Sequence, residues 1–233
     1  MIHPIILDAR LSLAYDLYDP CELAADIGTD HAHLPAALLQ RGRCQHMILT
    51  DLSESALRNA RNEMIRRRLL DRVSLRSGNG LDPICEQCAM ISITGMGGRT
   101  VRDILLTGRE KLHGASLSLS AHTDLPLIRD AVVAIGYHLD REEPCFCAGR
   151  FYLVLRARPG VHSVTPRDIR LGGPLFSSLS DQLIPYLSRR RDVLEEKLLG
   201  LVSAGDPDSE LISQVREDIA FYNDFIRKRR NPS

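Results

Sequence analysis

The residues with the clearest chemical potential form a short turn and a later acid near the N-terminus. The segment Ala25-Asp26-Ile27-Gly28-Thr29-Asp30-His31 contains a glycine, and the next apolar run ends in Asp51. A glycine lets a ligand approach the backbone, the following helix offers free N–H groups, and a carboxylate can accept from both ribose hydroxyls. The pattern predicts a nucleoside-binding half-site in a nucleotide-cofactor enzyme. It disfavours a nicotinamide dinucleotide, because the second and third glycines of Gly-x-Gly-x-x-Gly are missing.

The composition is that of a soluble globular chain. It has 233 residues, of which 44% are hydrophobic and 26% charged, with a formal net charge of zero. This length allows one substantial core plus an appendage. No apolar stretch reaches the roughly 20 residues that cross a bilayer, and the N-terminus lacks the pattern of a secretion signal. We therefore expect a cytoplasmic protein without membrane contact.

Six cysteines are expected to be reduced thiols, because a chain of this length needs no disulfide framework. The pairs Cys85-Glu-Gln-Cys88 and Cys145-Phe-Cys147 leave a structural zinc as the alternative. The second spacing is too tight for a zinc knuckle, so small buried or half-exposed thiols are favoured and no metal is expected.

Strands alternate with helices over the first two thirds of the chain. This alternation predicts a parallel sheet covered on both faces, with the last two strands antiparallel. Helices are expected from Leu34 to Gly42, after Asp51, after Gly98 and from Leu127 to Ile135. The predicted strands are Leu23–Ile27, Met47–Thr50, Val73–Leu75, Met90–Thr94, Leu117–Ser120, Gly136–Leu139 and Phe151–Leu155.

The pattern changes beyond Pro159. Leucines recur every four residues from Leu175 to Leu187, and a second apolar stripe runs from Leu211 to Ile226. Two amphipathic helices are predicted, folded back at the turn cluster 203–208. Pro185 interrupts the first helix or moves its start to a later residue.

Several motifs together resemble a known family. Asp26-Ile27-Gly28-Thr29-Asp30-His31, Thr50-Asp51, Gly80-Leu81, Gly95-Met96-Gly97-Gly98 and Gly149-Arg150-Phe151-Tyr152 look like the bacterial tRNA (adenine-N1)-methyltransferases of the TrmK family. The resemblance implies an α/β fold with a Rossmann-like class I methyltransferase sheet at 1–160 and a C-terminal helical, coiled-coil hairpin at 161–233. It also implies methylation of adenine 22, in the D-loop region of tRNA, with S-adenosylmethionine.

The resemblance assigns roles residue by residue. Gly28 approaches the methionine part of the cofactor, Asp26 orients the turn and Asp51 holds the ribose. The full cofactor-binding set is Asp26, Gly28, Thr29, Asp51, Leu52, Asn79, Gly80 and Gly95. The catalytic set is Asp30, Met96 and Gly97, where the donor methyl meets the target base. The substrate-binding set is Arg10, His31, Gly98, Tyr152, Arg227 and Arg229.

Asp30 has two possible roles. Its carboxylate can stabilise the positively charged product adenine or accept a proton from N6. It can equally cap the helix that begins near His31.

Two departures keep other functions open. Asn79 stands where the family usually has an acid, and Ser120-Ala121-His122-Thr123-Asp124 replaces a Gln-Pro-Asn-like stretch. The alternatives are another methyl acceptor, or a non-catalytic protein that binds RNA or a nucleoside.

Arginine clusters are the expected tRNA contacts of a chain that is neutral overall. Residues 58–76 hold seven arginines against two acids, and further clusters lie at 189–191 and 227–230. Phosphates attract such clusters, although each can also be a solvated helix face with ion pairs. The protein is expected to be a monomer or a weak dimer.

Overall fold

A computed structural model describes residues 4–203 and 208–230. These residues form two compact units, one that ends at Ser178 and one that begins at Leu179. The first unit is a seven-stranded sheet in the order β3-β2-β1-β4-β5-β7-β6. The strands are β1 (Cys21–Ile27), β2 (Cys44–Asp51), β3 (Val73–Ser77), β4 (Met90–Ile93), β5 (Ser116–Ala121), β6 (Tyr137–Cys147) and β7 (Arg150–Pro159).

The first five strands are parallel, and β7 pairs antiparallel with both β5 and β6. The chain order reverses direction between β1 and β4, so the carboxyl ends of these strands border a crevice. The predicted Rossmann-like sheet and its antiparallel last pair are confirmed. Six of the predicted strands were too short, most of all β6, whereas β4 ends one residue before its predicted end.

The described residues of this unit form six α-helices. They are α1 (Ala9–Asp16), α2 (His33–Gln40), α3 (Glu54–Arg67), α4 (Gly98–Thr107), α5 (Leu125–Ala134) and α6 (Pro166–Leu171). The core between helices and sheet contains Leu38 and Leu39 of α2, Met47 and Leu49 of β2, and Met64 of α3, all at most 1% exposed. Burial of each such side chain contributes roughly 1.5–3 kcal/mol.

The segment after β7 folds onto the sheet. Thr165 and Asp168 form a capping box that starts α6, and a short 3₁₀ helix at Pro174–Ser177 packs against β6. Buried Arg129 of α5 pairs with Glu142 of β6 and donates to carbonyls at the end of α6. The first compact unit therefore extends to Ser178, past the domain boundary predicted after residue 160.

The second unit consists of α7 (Leu183–Val202) and α8 (Ser209–Arg230), which pack against each other as predicted. The leucine stripe predicted that the first of these helices includes Leu175 and Leu179, and this was wrong. Leu175 lies in the 3₁₀ helix, and Leu179, which is 88% exposed, precedes α7. Pro185 falls in the first turn of α7, where proline is tolerated. Residues 204–207 of the predicted turn lie outside the described residues. Across the described ranges, the structure has no helix long and apolar enough to span a membrane.

Candidate functional site

The glycine turn directly follows β1 at the carboxyl edge of the sheet. Gly28 has φ +74°, and a Cβ at this position would overlap the Met96 Cε methyl. The backbone N–H groups of Gly28 and Thr29 both donate to the Thr50 carbonyl at the end of β2, at 2.8 and 3.1 Å. The turn is thus held against β2 in a conformation that favours glycine.

Asp51 ends β2 beside this turn. Its Oδ1 accepts from the Ser53 backbone N–H at 2.8 Å, and its Oδ2 lies 3.4 Å from the Asp30 backbone nitrogen. The Ser53 hydroxyl in turn caps α3. These contacts fix the carboxylate at the strand end, where it lines the crevice.

Asp30 does not cap a helix, so that alternative is wrong. The residue that precedes α2 is Ala32, which has φ 52° and no side-chain capping bond. The Asp30 side chain is exposed and lies 3.6 Å from His31 Nε2.

Two cavities flank Gly28. The β2-side cavity, of about 270 Å³, includes in its lining Gly28, Asp51, Leu52, Asn79, Gly80, Met96, Thr100, Asp103, Ile104 and Thr107. The α1-side cavity, of about 240 Å³, includes in its lining Arg10, Asp26, Gly28, Thr29, Asp30, His31, Gly95 and Met96. Both contain Gly28, Asp51 and Met96, so they meet over the glycine turn. The structure brings all the predicted cofactor-binding residues to one or both cavities.

Asp26 is a buried acid in the α1-side cavity. Burial raises the pKa of its carboxyl to about 6, against the opposing influence of the Ser92 and Thr29 hydroxyls and the charge of Arg10. The Ser92 hydroxyl on β4 donates to Asp26 Oδ1 at 2.5 Å. A carboxylate in this environment is mostly ionised at pH 7 and favours a cationic partner.

Arg10 and Thr29 present buried polar atoms to the same cavity. Arg10 Nη1 and Thr29 Oγ1 have no well-formed hydrogen bond among the described residues. Arg10 also lies over the Tyr152 ring, with 5.5 Å between the guanidinium carbon and the ring centroid. Because unpaired buried donors are costly, these atoms fit a ligand with a carboxylate or similar acceptor.

The Gly95–Gly98 segment follows β4 at the same edge. Gly95 and Met96 line the α1-side cavity, and Gly97 precedes α4. Gly98 is buried, and a Cβ there would lie 2.5 Å from the Thr123 carbonyl oxygen. Gly98 therefore packs α4 against the β5–α5 loop, while its predicted contact with substrate stays a prediction.

Comparisons with known proteins identify this arrangement. A methyltransferase-domain family profile matches residues 7–155. The tRNA (adenine(22)-N(1))-methyltransferase of Bacillus subtilis (strain 168) is 30% identical over 190 residues, which cover 81% of this chain and 77% of that protein. The chain belongs to this methyltransferase family.

Solved structures of similar proteins agree with the fold of the family. A Streptococcus pneumoniae protein described as a tRNA (m1A22) methyltransferase superposes with a TM-score of 0.84 at 25% identity, covering 95% of this chain and 100% of that one. A structure of the same protein in complex with S-adenosyl-L-methionine gives a TM-score of 0.82 at 24% identity, with the same coverage.

Most of the arginines at 58–76 form ion pairs or hydrogen bonds within the protein. Arg66 and Arg67 bind Glu63, Arg76 binds Glu86, and Arg72 donates to three backbone carbonyls. Arg58 lies 3.5 Å from Glu54. Arg61 and Arg68 are the exposed members with no ion pair among the described residues, so the expected cluster is much smaller than its sequence count.

The C-terminal arginines are also partly neutralised. Arg227 and Lys228 both bind Asp224 at 2.7 Å, and Arg191 binds Asp192. Arg227 is exposed on α8, as is Arg229. Their contact with substrate stays a prediction.

The cysteine pairs are not assembled into a metal site. Cys85 and Cys88 precede β4 and Cys145 and Cys147 lie on β6, with β5 and β7 between those two strands. Within the described ranges, no group of three or more His, Cys, Asp or Glu side chains could hold a metal ion.

Sequence reasoning missed residues that act through tertiary contact. Ser92 was interpreted only as a strand residue, and His122, whose ring lies edge-on to Tyr152 at 5.3 Å, was given no role. The polar residues Thr100, Asp103 and Thr107 recur on one side of α4 and line the β2-side cavity. Their helical spacing was the signal that could have identified them.

Proposed function

We propose that this protein transfers a methyl group from S-adenosylmethionine to N1 of adenine 22 in tRNA. The observation that carries the proposal is the pair of cavities that meet over Gly28, in a chain that belongs to this family. One elongated ligand with a polar amino-acid end and a nucleoside end matches this shape.

The α1-side cavity fits the amino-acid end of the cofactor. Arg10 offers an unpaired Nη1 to a carboxylate, and Asp26 offers a carboxylate to an ammonium group. Thr29 adds a buried hydroxyl. This assignment moves Arg10 from the substrate-binding set to the cofactor-binding set.

The β2-side cavity fits the nucleoside end. Asp51 would bind the ribose hydroxyls, and Leu52 and Ile104 supply apolar surface for the adenine. The Asn79 amide oxygen can accept from the adenine amino group. Asp103 lines the same cavity, and its Oδ1 accepts from Arg102 Nε at 2.8 Å, so a second acid besides Asp51 lies at this cavity even though position 79 is an amide.

The bound cofactor supplies an electrophilic methyl group, and adenine N1 offers a lone pair when its Watson–Crick edge is unpaired. Positioning two bound reactants contributes up to about 7–11 kcal/mol in ideal cases, so no strong base is required. The Asp30 carboxylate, at the mouth of the α1-side cavity, would stabilise the positive charge on the methylated base. Tyr152 and Met96 would contact the base.

The test uses the full chain with labelled S-adenosylmethionine and an unmodified tRNA transcript that has adenine at position 22. We expect label in the transcript and 1-methyladenosine at that position by nuclease mapping. The matched control is the same transcript with guanine at position 22, which should take no label. Equal labelling of both transcripts, or label at another nucleotide, would refute the assigned target, and cofactor binding without labelling would favour another acceptor.

A further inference from the structure

A pair of thiols lies at the amino ends of two parallel strands, opposite the carboxyl ends that border the cofactor site. Cys21 and Cys44 are the first residues of β1 and β2 and are register partners in the parallel ladder. Their Sγ atoms are 3.1 Å apart. Neighbouring strands lie about 4.8 Å apart, which is within the Cα separation that disulfides span. A small approach of the two sulfurs would therefore suffice to join them.

The two thiols have different surroundings. Cys21 is half-buried at the strand end, whereas Cys44 is fully buried. The hydrogen bond between them lowers the pKa of Cys21 and raises the pKa of Cys44, and burial raises the latter further. Cys21 is thus the thiol with greater access and thiolate character, which are the properties that make a cysteine oxidisable.

We propose that Cys21 and Cys44 form an oxidisable dithiol that peroxide converts to a disulfide. The Cys21 thiolate attacks one peroxide oxygen, the O–O bond breaks, and a sulfenic acid and hydroxide result. The Cys44 thiol then gives up its proton and its sulfur attacks the sulfenic sulfur, so that the S–O bond breaks and water leaves. Two thiols are oxidised by two electrons in total, and one hydrogen peroxide is reduced to two waters.

A disulfide at this position would constrain part of the cofactor-binding fold. It would close the loop from Cys21 to Cys44, which contains β1, the Gly28 turn and α2. Tyr18 is fully buried, and burial together with the nearby Cys44, Asp26 and Cys21 raises the pKa of its hydroxyl. A disulfide here would therefore constrain the half-site that forms the α1-side cavity, and we expect it to raise Tm by a few degrees.

The experiment treats the reduced full chain with hydrogen peroxide, blocks remaining thiols with iodoacetamide and maps the peptides by mass spectrometry. We expect a Cys21–Cys44 linked peptide, two fewer alkylations in the intact mass and a higher Tm, all reversed by dithiothreitol. Cys21→Ser should show no linked peptide and no change in Tm, and Cys44→Ala should accumulate a sulfenic acid at Cys21 that dimedone traps.

Other products would overturn the proposal. One is a disulfide between Cys21 and Cys88, and another is a sulfinic acid at Cys21 while Cys44 can still be alkylated. A third is that Cys21 and Cys44 both remain alkylatable at peroxide concentrations that oxidise the exposed Cys85. An unchanged or lower Tm for the linked protein would also count against it. The wild-type peptide map decides the matter even if a variant fails to fold, and none of these readouts depends on methyl transfer.

Discussion

At the scale of single residues, the site combines acids in different environments. Asp26 is 4% exposed and shares its cavity with Arg10 and Thr29, whereas Asp30 is exposed at the mouth. A buried carboxylate with a raised pKa costs stability at neutral pH and persists where it binds a ligand. An exposed carboxylate carries no such cost. Removing the charge of Asp26 should consequently raise the stability of the protein, whereas removing that of Asp30 should not.

Asp26→Asn should stabilise the protein and weaken cofactor binding. The pKa of Asp26 is raised from 3.8 to about 6, so the folded state holds the proton more tightly than the unfolded state. The corresponding stability is present below pH 4 and is lost as the pH rises through 6, by about 3 kcal/mol. Urea unfolding at pH 4 and pH 7 should show the variant gaining stability over wild type only at pH 7.

The same substitution tests the ammonium contact. Calorimetry with S-adenosylmethionine should show wild-type affinity falling below pH 6, as Asp26 is protonated, and a weak, pH-independent affinity for Asp26→Asn. Ser92→Ala is the matched control, because it removes the hydrogen bond to Asp26 and keeps the carboxylate. Unchanged cofactor affinity in Asp26→Asn would exclude Asp26 from the binding site.

Asp30→Ala should lower kcat by about 10²-fold and change cofactor affinity by no more than several-fold. Cofactor affinity should be nearly preserved because the Asp30 backbone N–H, and not its side chain, contacts Asp51, and because the Asp30 side chain does not cap α2. Single-turnover methylation and calorimetry measure the two effects separately. Gly28→Val is the comparison, since a side chain there fills the approach space and should abolish binding. A parallel loss of binding and turnover in Asp30→Ala would place it with the cofactor instead.

At the scale of elements, local patterns predicted what local physics determines. Apolar runs predicted the parallel strands, and the Gly28 turn was recognisable because glycine favours the positive φ that this turn adopts. Features set by distant contacts were missed. Leu175 lies in a 3₁₀ helix that packs against β6 and not in α7, and Arg72 donates hydrogen bonds to carbonyls of α2 and β2. Arg10 was expected to bind substrate, and its unpaired Nη1 could be seen only in three dimensions.

Neighbouring glycines of the α4 start offer a matched test of packing between elements. A Cβ at Gly98 would lie 2.5 Å from the Thr123 carbonyl oxygen, whereas one at Gly97 would have only Thr123 Oγ1 at 3.8 Å. Gly98→Ala must therefore displace the β5–α5 loop, and we expect a loss of about 1–3 kcal/mol in the free energy of unfolding. Gly97→Ala should cost less than about 1 kcal/mol. Denaturant unfolding measures both, and equal losses would contradict the assigned packing.

At the scale of the whole molecule, zero net charge has to be reconciled with an RNA substrate. Ion pairs with Glu63, Glu86 and Asp224 occupy many of the arginines that the sequence count had assigned to phosphate. Attraction for RNA then depends on how the exposed cations are distributed, because phosphate contacts are local and screened by salt. Each of the two compact units has exposed cations, Arg61 and Arg68 in the first and Arg227 and Arg229 in the second.

The salt dependence of tRNA binding can separate these contributions. Removing one phosphate-binding cation lowers the slope of log K against log salt concentration by about one. We expect the Arg61→Gln/Arg68→Gln double variant to lower the slope by about two if both cations bind phosphate. Arg66→Gln on the same helix should change it less, because Glu63 already holds that guanidinium. Filter binding from low to high salt measures the slopes. An unchanged slope in the double variant, with a reduced slope in Arg227→Gln/Arg229→Gln, would assign the RNA surface to α8 alone.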